Sequence, residues 1–335
     1  MGQVGRPFRL VERLLPAHVA LWRLRAKICG MNGKSVKEQI GHCGLCNRLE
    51  PLRVSHVIPA FVFRWLRQTS ATGHIRSALD VNRRIQDGHK KSWLCGDCET
   101  LLSRDERQFS SELFHPFVNG ADSINYGAWL QRFCVSVSWR VLCHCKGLNA
   151  AHEYTELQEQ AASKAKRVWA AFLLGQRSSL AGFQQHLLPL DIIEATTVPD
   201  LPDNINRFLT RNVEMDIVGG AGTFMTYAKL GRFVIFGMMQ RPRGWEETRV
   251  FGNKGNIAPR EYQLPASLMY FFMDRARLSK AAIAKMSPRQ AEMVDATVLA
   301  NMDRFMNSEQ MRAMKADVAL FGEQAIIRRE PPADG

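Results

Sequence analysis

Cys43 and Cys46 form one Cys-x-x-Cys pair, and Cys95 and Cys98 form a second. Four thiolates in two tight pairs are the donor set of a tetrahedral structural zinc site, each pair closing a short knuckle over the ion. All-sulfur tetrahedral sites select zinc, or iron in some proteins. Between the pairs lies Ser55-His56-Val57-Ile58-Pro59. An imidazole titrates near neutrality and is suited to proton transfer, although a lone histidine is as often a hydrogen-bonded core side chain. The other cysteines, Cys29, Cys134, Cys143 and Cys145, have no disulfide-scaffold spacing, as expected of a cytoplasmic protein. Cys143-His144-Cys145 follows the apolar stretch 129–142, so its thiols are expected in the core rather than on a second metal.

The elements around these residues must bring the two pairs together. Residues 52–58 read as a short strand stopped by Pro59. Residues 60–68 read as a short helix with Phe61, Trp65 and Leu66 on one face and Arg64 and Arg67 exposed. The polar stretch 69–89 contains Asp87-Gly88, a tight-turn dipeptide before a second strand at 91–94. A helix over 99–113 follows the second pair, with Leu101, Leu102, Phe109 and Leu113 as its apolar stripe. Knuckle, hairpin, second knuckle and helix, over residues 32–118, make the layout of a treble-clef-like zinc module.

This order, carried by Cys43, Cys46, Ser55-His56-Val57-Ile58-Pro59 and Leu94-Cys95-Gly96-Asp97-Cys98, resembles the zinc-stabilised HNH endonuclease family over about residues 40–110. A nearer likeness is to uncharacterised bacterial HNH-like proteins in which Ser-His-x-Ile-Pro accompanies Leu-Cys-x-x-Cys-Glu. The resemblance implies a metal-dependent DNA endonuclease, a hydrolase of phosphodiester bonds of the kind that serves phage defence or mobile elements. It makes His56 the general base and implies a catalytic magnesium or manganese beside the structural zinc. Three positions depart from the family pattern: Ser55 replaces the metal-binding acid, Glu99 replaces the His or Asn after the second pair, and the middle Asn falls near Lys90. Glu99 and Asp87 are the carboxylates able to rebuild a site for a hard cation. Gln86, His89 and Asn82 are further candidates for the middle position.

The chain carries a net charge of +13, which fits a polyanionic partner, most simply DNA. Within the module Arg64, Arg67, Arg83 and Arg84 are the expected phosphate contacts. The alternative is a non-catalytic zinc module that binds nucleic acid or protein. Residues 1–31 read as a basic extension, with Met31 a second possible start, and no apolar run is long enough to span a membrane. Val218-Gly219-Gly220-Ala221-Gly222 has no following Lys-Ser/Thr and reads as a turn, not a nucleotide loop.

Beyond the module the fold class is α+β: a mixed helical and antiparallel-sheet domain over 119–327, then a tail from 328. Residues 123–195 read as mostly helical, with helices at 126–145 and 156–174. Strands are expected at 213–218, 223–230, 233–239 and 248–251. Ser287-Pro288 and Ser308 are helix caps, the former with Gln290 placed to reciprocate. A stripe of Met286, Met293, Met302, Met306, Met311 and Met314 is expected as adaptable core or as the interface of a homo-oligomer.

Overall fold

A computed structural model describes residues 39–148, 154–220, 223–240, 245–258 and 265–326; the expected extension, the alternative start and the tail lie outside them. The first knuckle is the turn between β1 (Gln39–His42) and β2 (Leu49–His56), paired antiparallel from His42↔Leu49 to Gln39↔Leu52. Asn47 takes a left-handed φ of 61° there, which asparagine tolerates better than most residues. Its N–H reaches the Cys43 carbonyl at 2.8 Å, and the Cys43 N–H donates to the Arg48 carbonyl at 2.9 Å. Pro59 then leads into α1 (Ala60–Gln68), which buries Phe61, Val62, Phe63, Trp65 and Leu66. Its last carbonyls are met by distant cations. Arg211 Nη2 donates to Leu66 at 2.9 Å and Arg304 Nη2 to Arg67 at 2.9 Å, the favourable pairing for a helix C-terminus.

The stretch expected as a polar loop folds into a second hairpin, β3 (Ile75–Ser77) and β4 (Asp80–Ile85). Its strands are short and polar, without the alternation that marks a strand in sequence. β5 (Lys90–Cys95) returns beside β2, giving the order β1-β2-β5. The register slips between Arg53↔Leu94 and Val54↔Ser92, a bulge at Trp93. β5 delivers Cys95 to the start of α2 (Gly96–Gln108), three residues earlier than the sequence implied, so Cys98 and Glu99 occupy its first turn. A π-helical turn, Phe109–Phe114, continues into α3 (His115–Val118). The extra residue of a π-turn lets both Phe109 and Phe114 point inward, against Phe61 with ring centroids at 6.0 and 5.1 Å.

A short β6 (Ile124–Tyr126) precedes α4 (Ala128–Leu148) and α5 (Glu156–Leu173), the two helices expected there. The remainder of that block is not helical: β7 (Gln185–Pro189) is a fully buried strand. After α6 (Ile205–Arg211) come β8 (Val213–Gly220), β9 (Thr223–Leu230) and β10 (Phe233–Gln240), all antiparallel in the order β7-β10-β9-β8. Residues alternate between the two faces of this sheet. Phe224, Ala228, Phe233 and Ile235 pack with α4 and α5, whereas Met225, Tyr227, Val234 and Phe236 pack with α6 and α7 (Ala266–Ala284). The sheet is thus covered on both sides. Gly231 closes the β9–β10 turn with φ of 62°, and a Cβ there would stand 2.7 Å from the Trp65 ring, so glycine is required twice over.

The strand expected at 248–251 is a single bridge, Arg249 to His186, with Leu187 N–H donating to Thr248 and Val250 N–H to Gln185. β11 (Gly255–Ile257) pairs with β6. α8 (Pro288–Leu299) and α10 (Glu309–Phe321) start at Ser287 and Ser308, whose hydroxyls accept the N–H of Gln290 at 3.4 Å and of Met311 at 3.1 Å. Gln290 does not reciprocate, because its Oε1 accepts from Arg76 at 3.1 Å. α8 buries only Ala291, and α9 (Met302–Met306) buries nothing, leaving Met293, Met302 and Met306 exposed rather than in the core. One apolar cluster runs from Cys43, Leu45, Cys95 and Cys98 through Phe109 and Trp139 to Phe233. Among the described residues no helix is long and apolar enough to cross a membrane.

Candidate metal centre and the adjoining histidine site

Strand pairing and helix start converge on the four cysteines. The turn after β1 carries Cys43 and Cys46, while the end of β5 and the first turn of α2 carry Cys95 and Cys98. Their Sγ atoms all lie within 4.8 Å of one another, and Cys46 and Cys95 are 3.7 Å apart. A tetrahedral ion with metal–sulfur bonds of about 2.3 Å has a sulfur–sulfur edge of about 3.8 Å. The four thiols are therefore positioned to hold a metal ion such as zinc.

The surroundings suit thiolates. The Cys95 N–H donates to Cys43 Sγ at 3.3 Å, and Arg48 reaches Cys46 Sγ at 3.5 Å and Cys95 Sγ at 3.9 Å. Asp97 holds Arg48 in place at 2.7 Å. Burial opposes ionisation of Cys46, but hydrogen bonds from the Arg48 side chain and backbone and from Cys43 and Cys98 prevail, lowering its pKa to about 6. Burial raises Cys95 and Cys98. A metal ion would displace those remaining protons, which couples its binding to pH. The sequence marks Arg48 only as one basic residue among many; its role follows from the turn at Asn47.

One strand residue beyond the bulge, Ser55 and His56 leave β2 in opposite directions. Ser55 is buried, and its hydroxyl donates to Glu99 Oε2 on α2 at 2.5 Å. His56 Nε2 instead lies 2.8 Å from Asp87 Oδ2, which Lys90 also contacts at 2.8 Å. The ring contact is close but off-axis, since Nε2 has no aligned hydrogen-bond partner. Partial burial of Asp87 favours its neutral form, yet Lys90 and His56 outweigh this and lower its pKa. The Gly88 N–H donates to Asp87 Oδ1 at 3.0 Å, and a Cβ on Gly88 would lie 2.2 Å from the Phe63 ring. From behind, the buried Arg140 of α4 donates to the His56 carbonyl at 3.0 Å and pairs with Glu106 at 2.7 Å. No sequence pattern pointed to Arg140.

The structure thus joins His56 to Asp87 and, separately, Ser55 to Glu99. Among the described residues the four cysteines are the one group of three or more metal-ligand side chains close enough to share an ion. His56, Asp87 and Glu99 form no such group. Among the described residues His144 also stands outside any such group; its ring lies 5.3 Å from that of His89, and burial, then His89 and Lys91, lower its pKa to about 4. Cys145 lies in the core with its thiol raised by burial to about 12.

The four arginines expected to meet phosphate lie on two elements, α1 and β4. Arg64 is exposed on α1, Arg67 lies in the last turn of that helix, and Arg83 and Arg84 are exposed neighbours on β4. Being adjacent on a strand, Arg83 and Arg84 point to opposite faces of the hairpin. Compared with protein family models, curated proteins and solved structures, the chain matches none.

Proposed function

We propose that this chain is an HNH-like, metal-dependent DNA endonuclease whose strand–helix unit is tied by zinc on Cys43, Cys46, Cys95 and Cys98. The observation that supports it is the contact of His56 with Asp87 at the end of a strand fastened to the cysteine cluster. With Nε2 turned to the carboxylate, Nδ1 is the nitrogen left to take a proton. In this reading Nδ1 of His56 removes a proton from water, the water oxygen bonds to phosphorus, and the bond to the leaving deoxyribose oxygen breaks, that oxygen taking a proton from solvent water. Asp87, in contact with the ring, would stabilise the imidazolium, and Arg140 holds the backbone beneath it. Asp87 is the carboxylate beside His56 that could hold magnesium or manganese, ions that commonly bind through one or two carboxylates plus water and phosphate oxygens, whereas Glu99 accepts from Ser55 on the other side of β2. The ion, when bound, would neutralise charge developing on the phosphate.

The Ser55–Glu99 bond favours a second reading. If it serves to fasten β2 to α2, the unit is a non-catalytic zinc module that binds nucleic acid. Supercoiled-plasmid cleavage by the full chain with magnesium or manganese separates the two, comparing the parent with His56→Ala after both are shown to retain zinc. The nuclease reading predicts cleavage that falls by at least about 100-fold in the variant. Equal cleavage by both, or none by either, contradicts it.

A further inference from the structure

Four arginines from three separate parts of the chain meet at the far end of α1. Arg76 and Arg84 are directly opposite one another across the β3–β4 hairpin. Arg84 Nη1 lies 3.2 Å from Nε2 of His74. Arg67 lies in the last turn of α1, and its Nε has no hydrogen-bond partner. Arg304 arrives from α9, more than two hundred residues later in the chain. It donates to the carbonyls of Ser70 at 3.0 Å and Arg67 at 2.9 Å, and its Nη2 lies 3.3 Å from the Cβ position of Gly73.

This arrangement is electrostatically unfavourable as it stands. Like charges placed opposite one another on paired strands repel. The cluster meets uncharged groups: Arg76 donates to the Val81 carbonyl and Gln290 Oε1, Arg84 meets the His74 ring, and Arg304 meets carbonyls. Two titrating groups register the excess of positive charge. Partial burial lowers the pKa of His74, and Arg84, Arg76, Arg304 and Arg67 lower it further; burial and then Arg84 lower that of Arg76. Neutral His74 is thereby able to accept from Arg84. Local departures from self-consistent design of this kind are expected where a ligand supplies the missing interaction.

We propose that Arg67, Arg76, Arg84 and Arg304 form a binding site for the phosphate backbone of nucleic acid, assembled when α8 and α9 dock on the β3–β4 hairpin. The docking contacts are specific: Arg76 to Gln290 at 3.1 Å, the Ser287 N–H to Asn82 Oδ1 at 2.8 Å, and Arg304 to the end of α1. A nine-residue helix is about 13 Å long, and α1 starts just after His56–Pro59. The cluster and the histidine therefore flank one helix, within reach of a single duplex. The site rests on nucleic acid being the partner, but not on His56 being catalytic.

The test is duplex DNA binding by the full chain carrying His56→Ala, which keeps the DNA intact, followed by fluorescence anisotropy over a range of salt concentrations. Each phosphate contact contributes about 0.9 to the slope of log K against log salt. Arg84→Gln, at an exposed position, is expected to weaken binding about fivefold to tenfold and to reduce that slope by about 1. Arg84→Lys should retain most of the affinity, and Lys164→Gln, on the exposed side of α5, should leave both quantities unchanged. Affinity and slope unaltered in Arg84→Gln would overturn the site, as would the absence of DNA binding in the parent. Loss of binding in Arg84→Gln alongside a parent that cleaves nothing would uphold the site while refuting the nuclease reading.

Discussion

At the scale of single residues, the proposed chemistry turns on Asp87. Its carboxylate is shared by His56 and Lys90, and its turn is held by the Gly88 N–H. Because these contacts lower its pKa in the folded chain, they add stability that is complete above the carboxylate's unfolded pKa. That stability is lost as pH falls through the lower folded value. Asp87→Asn should therefore flatten the acid limb of stability, read as urea midpoints between about pH 2 and pH 5; an acid limb identical to the parent's would contradict this. The Asp87-Gly88 turn was legible in the sequence, because it is local. That Asp87 would face His56 was not, because it depends on how β2 and β5 pair around the bulge at Trp93. Ser55 and Glu99 were separately visible as departures from the family pattern, but their mutual hydrogen bond becomes apparent only when α2 begins at Gly96.

At the scale of elements, the local signals were the readable ones. Ser287 and Ser308 cap their helices as their spacing implies. A more consequential cap has no sequence signature at all. Asp317, fully buried in α10, accepts the N–H of Asn206 at 2.7 Å and of Arg207 at 3.3 Å, and pairs with Arg207 Nε at 2.8 Å. A carboxylate from one helix thus caps the start of α6 across more than a hundred residues. Burial raises the pKa of Asp317 despite these donors. Asp317→Ala would strand two N–H groups and a guanidinium, and should cost about 3 kcal/mol in urea unfolding. A loss below about 1 kcal/mol would show that the cap is replaced by water. β7 escaped detection for a related reason: buried throughout, it lacks the alternation of a half-exposed strand. The β3–β4 hairpin escaped because its strands are polar and are held by distant helices.

At the scale of the whole molecule, the four-cysteine cluster is embedded rather than appended. Cys43, Cys95 and Cys98 belong to, and Cys46 packs against, the apolar cluster that continues through Trp139 and the π-turn phenylalanines to the large sheet. The α+β class could be read from periodicity and caps, as could α1, α2, α4, α5, α8 and α10 and the strands β2, β5, β8, β9 and β10; the short or polar strands and α7 could not. The assembly of knuckles, hairpin and C-terminal helices could not, since it is written in contacts between arginines and distant carbonyls. A structural zinc contributes folding free energy directly, on the order of 10 kcal/mol in small zinc modules. Its loss should therefore loosen β1, β2, β5 and α2 together, and with them the placement of His56. The most direct measurement is the metal content of the full chain purified under reducing conditions, by mass spectrometry of the elements, beside Cys95→Ser. The expected result is about one zinc per parent chain, with the variant depleted of metal and markedly less stable. A folded parent chain that carries no metal, or a Cys95→Ser chain that keeps its zinc and its stability, would contradict a zinc-tied fold.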